Sequence, residues 1–256
     1  MVNLALRPAD RGLARKAFPH MREVVLVVGA YVAYMFTRKL IFTDVSVAFD
    51  NAERVVNLEK TLGLYWEPVW QEWVMNTAVG LVLLFNWIYI FTFFPIVITT
   101  AIILYVVDRG RYRYFRNVIL ISFVVALITF MLFPLAPPRM LPGINDTIDM
   151  FGPAFYASRD LAAYYNAFAA MPSLHFAWTL IFGFMFMQFR WVPLKILGFL
   201  YPMVTLFAIT ITGNHYFLDA VAGGMVMVSS LTLMFLVKRQ IRRNRLQRGL
   251  MLPGVA

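Results

Sequence analysis

Apolar residues in this chain come in long runs, without the short alternation of a soluble strand or the single greasy stripe of a soluble helix. About 20 helical residues cross the hydrocarbon core of a bilayer. Runs of that kind lie at Val24–Phe42, Trp73–Val107, Asn117–Phe133, Phe176–Phe189, Leu194–Thr212 and Tyr216–Val237. The second run, at 35 residues, is too long for one simple span and short for two. Parity makes it one crossing with a kink at Pro95 and its first turns proud of the bilayer, because only then do the basic segments share a side. The pattern predicts an all-α, polytopic membrane protein with six transmembrane helices.

Two polar stretches interrupt this plan. Asp44–Glu72 mixes charges with Ala52, Val55, Val56 and Leu62 at helical spacing, then adds Trp66, Trp70 and Trp73. It reads as an outer helix lying in the interface with an aromatic belt at its end. The 41 residues from Pro134 to Leu174 hold six of the 13 prolines and read as a long outer loop, a length usual for lids and binding loops. The expected organisation is a basic tail over 1–23, a six-helix membrane domain over 24–237 and a second basic tail over 238–256, with no internal repeat.

Composition agrees. Of 256 residues, 61% are apolar and 14% charged, too little charge to cover a soluble fold. The net charge of +10 is concentrated. With both termini cytoplasmic, that side holds 17 of the 23 Lys and Arg but only three of the 13 acids, as the positive-inside rule requires. This distribution makes nucleic acid a poor partner, and the C-terminal basic tail could also grip anionic lipid. The N-terminus lacks the short apolar core of a removable signal, so the first span is expected to stay in the mature chain. The absence of cysteine removes disulfides and thiolate metal sites. Cysteine-free and arginine-rich, the chain reads as bacterial, which places it in the plasma (inner) membrane.

Three histidines are present, and His20 lies in the basic tail, where we expect it to be inert. His175 and His215 each stand at the start of an apolar run, on the outer face in this topology, 40 residues apart across one helical hairpin. A hairpin returns the chain to the same face, so the two meet at one level. In Gly213-Asn214-His215-Tyr216-Phe217-Leu218-Asp219 the acid follows the histidine by four residues, one helical turn. A carboxylate there can hold the proton on one ring nitrogen and leave the other as nucleophile or base. In Pro172-Ser173-Leu174-His175 the serine can cap the helix or donate to an anion. Two helix N-termini facing one pocket favour phosphate, and Arg139, in Pro137-Pro138-Arg139-Met140, can clamp it.

The order P-P-R, P-S-L-H and G-N-H-Y-x-x-D resembles the type 2 phosphatidic acid phosphatase superfamily of integral membrane enzymes. Within it, the chain is most similar to the inositolphosphotransferase branch, related to inositol phosphorylceramide synthase. The resemblance implies a phospho-histidine mechanism on a lipid phosphate or phosphodiester: His215 attacks phosphorus, Asp219 orients it, His175 serves as acid and base, and Arg139 and Ser173 bind the phosphate oxygens. That scheme needs no metal or other cofactor. The acceptor would be water or an alcohol, such as inositol or a lipid hydroxyl, and the site would face the extracytoplasmic side. The chain departs from the phosphatase pattern where Leu132 takes a lysine's place, Met140 follows Arg139 instead of proline, and Ala208 and Ile209 replace Ser-Arg. Asn145, Asp146, Asn166 and Asn214 are candidate substrate contacts in its place. Asn86 and Tyr89, about a turn apart, either line a head-group cavity or hydrogen-bond between helices.

Two other readings of the same residues remain open. His175, His215 and Asp219 could ligate zinc in a metal-dependent membrane hydrolase. The same polar groups could bind an anionic head group in a non-enzymatic lipid or anion transporter.

Overall fold

A computed structural model describes residues 8–41, 45–153 and 166–250. Arg7, Asp44, the middle of the long outer loop from 154 to 165, and 251–256 lie outside them. Ten α-helices are described: α1 (Pro8–Ile41), α2 (Val45–Leu62), α3 (Glu67–Thr77), α4 (Val79–Phe91), α5 (Phe93–Val107), α6 (Arg109–Leu132), α7 (Thr147–Phe151), α8 (Leu174–Met187), α9 (Val192–Ile211) and α10 (Phe217–Leu250).

Helix starts follow local chemistry. The Asp108 side chain accepts from Arg111 N at 2.9 Å and opens α6. Asp146 accepts from Ile148 N and Asp149 N, both at 3.1 Å, and opens α7. Ser173 Oγ accepts from Phe176 N at 3.3 Å and opens α8, so each start satisfies amides that the helix itself cannot.

The run Trp73–Val107 divides among three helices. Its first residues complete α3, whose Val74 packs on Val82 of α4 and Ile211 of α9, and α4 and α5 then form one path bent by 42°. The break falls at Thr92, three residues before Pro95, because Pro95 lies in the first turn of α5, where proline costs no hydrogen bond. Helices α6, α9 and α10 are each long and apolar enough to cross a membrane, and the α4–α5 pair makes a fourth candidate when the bent pair is counted as one span. Helix α8 is apolar but has only 14 residues, about 21 Å at helical rise against a core of about 30 Å. The expected outer helix is two helices, α2 and α3, meeting at a turn, and Leu62 is 55% exposed instead of joining the apolar face. Helix α10 continues through the basic segment that the sequence suggested as a separate tail.

Two large apolar clusters hold the bundle, with a third, small one of Val74, Val82 and Ile211. One joins Ala48, Ala52, Val55 and Val56 of α2 to Ala126, Leu127 and Phe130 of α6 and to Leu135, Ala136, Ala170 and Tyr216. The other joins Leu104, Phe115, Val118, Ile181, Phe182, Met185 and Met234 at the opposite end. That opposite end also gathers the basic segments: Arg116 pairs with Glu23, Arg111 lies 4.4 Å over Phe189, and Lys238 lies 4.0 Å over Tyr114. The long outer loop is laid down on the first cluster, with Leu135 N donating to Phe168 O at 2.8 Å and Ala136 N to Ala48 O at 3.1 Å.

Candidate active site

His215 sits in the turn between α9 and α10. Ile209 O accepts from Asn214 N at 3.1 Å and from His215 N at 3.0 Å, which ends α9 and fixes the histidine backbone. Gly213 makes the turn with φ of +70°, a conformation that glycine adopts without the Cβ penalty. Its carbonyl accepts from Arg139 N at 2.8 Å, so the loop carrying the arginine is docked on the turn carrying the histidine.

The imidazole is oriented at one nitrogen. His215 Nδ1 lies 2.9 Å from Ala170 O and 3.3 Å from Asp219 Oδ2. Both are acceptors, so they place the ring proton on Nδ1 and leave the lone pair on Nε2. Asp219 is fully buried, and its Oδ2 also accepts from Tyr216 N at 3.0 Å. The His175 ring centroid is 6.1 Å from that of His215, with the planes 55° apart. Tyr89 stacks on His175 at 4.5 Å, and Phe93 packs against it at 4.3 Å with the planes tilted by 41°.

Arg139 Nε pairs with Asp146 Oδ2 at 3.1 Å, and Nη1 donates to Asn214 Oδ1. The positions at which the sequence departs from the phosphatase pattern offer no second cation. Leu132 is 79% exposed, while Ala208 and Ile209 are buried apolar side chains. Among the described residues, Arg139 is the one basic side chain at the histidine end of the cavity.

The structure thus brings His175, His215, Asp219, Arg139, Asp146 and Asn214 together, but it sets other candidates apart. Ser173 is buried as the cap of α8, and Asn145 is held away by Gln71, whose side chain bonds both its N–H and its carbonyl. Asn86 exchanges hydrogen bonds with Thr147, both at 2.7 Å, and ties α4 to α7, which is the helix-to-helix role considered for it. Asn166 and Tyr89 line the cavity, Asn166 also capping Phe168 N.

That cavity, about 920 Å³, begins at His175, His215, Arg139, Asp146 and Asn214 and extends among α1, α5 and α6 as far as Tyr112 and Arg116. Its long wall is apolar: Val27, Ala30, Val97, Ala101, Ile119 and Phe123 are typical. Helix α1 closes one side and is fastened at both ends. Asn166 N donates to Tyr34 OH at 2.7 Å near the histidines; Glu23 bonds Arg116 and accepts from Tyr112 OH at 3.0 Å at the other end.

Two buried acids were not anticipated. Glu59 of α2 and Glu67 of α3 are 0% exposed and accept from Leu218 N at 2.7 Å and Phe217 N at 2.6 Å. A signal existed for Glu59: it continues the series Ala48, Ala52, Val55, Val56 on the buried face of α2. For Glu67, at a helix start, the pattern carried none.

Among the described residues no three His, Cys, Asp or Glu side chains converge as a metal-ligand set. No curated protein and no solved structure matches the chain. The model of the PAP2 superfamily matches residues 53–233, a segment that contains both histidines, Asp219, Arg139 and the two buried glutamates. The chain therefore belongs to the PAP2 superfamily, whose members are phosphatases and phosphotransferases.

Proposed function

We propose that the protein is a membrane phosphoryl-transfer enzyme that acts on a lipid phosphate or phosphodiester through a phospho-histidine. The observation that carries this reading is the pair of acceptors at His215 Nδ1, Ala170 O and Asp219 Oδ2, which leaves Nε2 as the nucleophile beside His175 and Arg139. His215 Nε2 forms a bond to phosphorus as the bond to the leaving oxygen breaks, and His175 donates a proton to that oxygen. Water or an alcohol then gives its proton to His175 and attacks phosphorus, which breaks the N–P bond and restores His215. Arg139 and Asn214 hold the non-bridging oxygens as charge builds on them.

The apolar arm of the cavity supports a lipid substrate, since it offers a hydrocarbon chain a place directly below the reactive groups. The topology we propose has six spans, with α1 and α8 added to the four crossings, both termini cytoplasmic and the histidines on the extracytoplasmic face of the plasma membrane. For the acceptor we favour an alcohol, as in the inositolphosphotransferase branch. Asp146 and Asp149 at the mouth can accept hydrogen bonds from the hydroxyls of inositol or a similar polyol, while among the described residues Arg139 is the one basic side chain there to attract a phosphate dianion.

Purified protein offered a panel of lipid phosphates, with and without EDTA, tests the reaction class, and inositol lipids with a lipid alcohol test transfer. Release or head-group exchange that persists in EDTA and falls about a thousandfold or more in His215→Ala supports the reading. Full turnover in folded His215→Ala and His175→Ala overturns it.

A further inference from the structure

Helix α10 starts two residues after His215, and three successive amides of that start are each taken by a carboxylate. Tyr216 N donates to Asp219 Oδ2 at 3.0 Å, Phe217 N to Glu67 Oε1 at 2.6 Å and Leu218 N to Glu59 Oε1 at 2.7 Å. The three acids come from three helices and are all 0% exposed. A helix start ordinarily needs one small capping side chain. Here two residues from the outer helices α2 and α3 reach in to hold it, although burying carboxylates is costly. The second oxygens, Glu59 Oε2, Glu67 Oε2 and Asp219 Oδ1, meet no N–H or hydroxyl donor among the described residues.

We propose, resting on the phosphoryl-transfer reading above, that Glu59 and Glu67 are positioning residues that grip the first turn of α10 and thereby hold His215 in register with His175. They act through the backbone: the turn they fix carries His215 at its near end and, one turn on, Asp219, whose carbonyl accepts from Ser173 N at 3.0 Å at the start of α8. The geometry also requires a proton. Glu59 and Glu67 lie within hydrogen-bond reach of each other, and with both ionised three negative charges would crowd one helix start. Burial, and after it the charge of Glu67, pushes the Glu59 carboxyl up to about 9, so Glu59 carries that proton and donates it to Glu67. The titratable groups around the pair are Asp219 and Tyr216 at the start of α10 and Tyr65 in the turn after α2. The nearby cation, Lys60, lies 5.2 Å over the Tyr65 ring.

Ionisation of Glu59 should therefore loosen the grip, and turnover should acquire an alkaline limb near pH 9. The test compares full-length wild type with Glu59→Ala, Glu59→Gln and Glu67→Ala in detergent, reading kcat and KM across that limb together with the thermal midpoint. Glu59→Ala and Glu67→Ala should lower kcat about tenfold or more with KM nearly unchanged. Glu59→Gln, which keeps both an acceptor for Leu218 N and a donor for Glu67, should recover most of the loss and shift or abolish the alkaline limb.

A second readout does not need turnover. Trp66 packs on Phe217 at 4.9 Å, so the difference in fluorescence between wild type and Trp66→Phe reports the first turn of α10. That signal should change through the same pH interval in wild type and stay flat in Glu59→Gln. Folded alanine variants with wild-type kcat, or a glutamine variant with the wild-type pH dependence in both readouts, would overturn the proposal. Retained turnover in His215→Ala would instead overturn the reaction assignment and leave the fluorescence arm to decide the positioning role.

Discussion

Ser173 N donates to Asp219 O at 3.0 Å, so the start of α8, which carries His175, and the start of α10, which follows His215, form one hydrogen-bonded unit. The contact is backbone to backbone and is tightened by Gly223, where a Cβ would stand 2.6 Å from Ser173 O.

Gly223→Ala should push α8 away from α10. The His175–His215 separation would grow, and small displacements at reacting groups cost rate steeply. We expect kcat to fall about tenfold to a hundredfold with a smaller change in KM. Kinetics of the purified variant, with its thermal midpoint as a folding control, checks this; unchanged kcat in folded protein would show that the contact does not set the geometry.

Asp219→Asn should cost turnover about a hundredfold to ten-thousandfold, because the amide can present its N–H to Nδ1 and so favour the wrong tautomer. Combined with His215→Ala it should add almost nothing, since the two act as one unit. A double variant that is much slower than His215→Ala alone would argue for an independent role.

Asp146 holds Arg139 Nε at 3.1 Å and also caps α7. Asparagine caps a helix about as well as aspartate, so Asp146→Asn should keep α7 while releasing the guanidinium charge. Tighter binding of inorganic phosphate, by about threefold to tenfold, is the expected result. Arg139→Lys should weaken it by a similar factor, because lysine lacks the planar fork. Competitive inhibition by phosphate measures both.

Stability should depend on pH through the buried glutamates. Burial raises Glu67, and it raises Glu59 from the ordinary 4.5 to about 9. Below the unfolded value both states hold the proton and pH has no effect through these groups. Above it only the unfolded state releases the proton, so stability falls steadily as pH rises toward 9 and levels off beyond. The thermal midpoint should follow that slope in wild type and be flatter in Glu59→Gln.

The cavity arm gives a length-dependent prediction. Tryptophan at Ala30 or Ala101, both on its wall, should depress turnover of long-chain lipid phosphates severalfold or more while sparing a short-chain phosphate that never enters the arm. Equal loss on both substrates would place the chain elsewhere.

The helical, membrane-borne character was legible because long apolar runs have one physical solution in a bilayer. The histidine pair was legible too, since a hairpin and a turn spacing bring His175, His215 and Asp219 to one place. What the chain does between runs was harder to read. Trp73–Val107 breaks at Thr92 and not at Pro95 because a proline in the first turn of a helix is harmless. Asn86 has the donor and acceptor of a substrate contact yet spends both on Thr147, and Ser173 spends an acceptor on the cap of α8; composition cannot distinguish those uses. Glu67 was invisible because its partner, Phe217 N, lies 150 positions away.

Helix α1 is pinned near Tyr34 and near Glu23, and the wall between those pins belongs to the hydrocarbon arm. On the lipid-substrate reading proposed above, the hydrocarbon chain that fills this arm is drawn from the bilayer, and the enzyme would sample a two-dimensional pool. Its rate should track the mole fraction of substrate in the membrane and fall on dilution with inert lipid, even when the number of substrate molecules per millilitre is unchanged. For such a catalyst, the composition of the surrounding leaflet takes the place that bulk concentration holds for a soluble one.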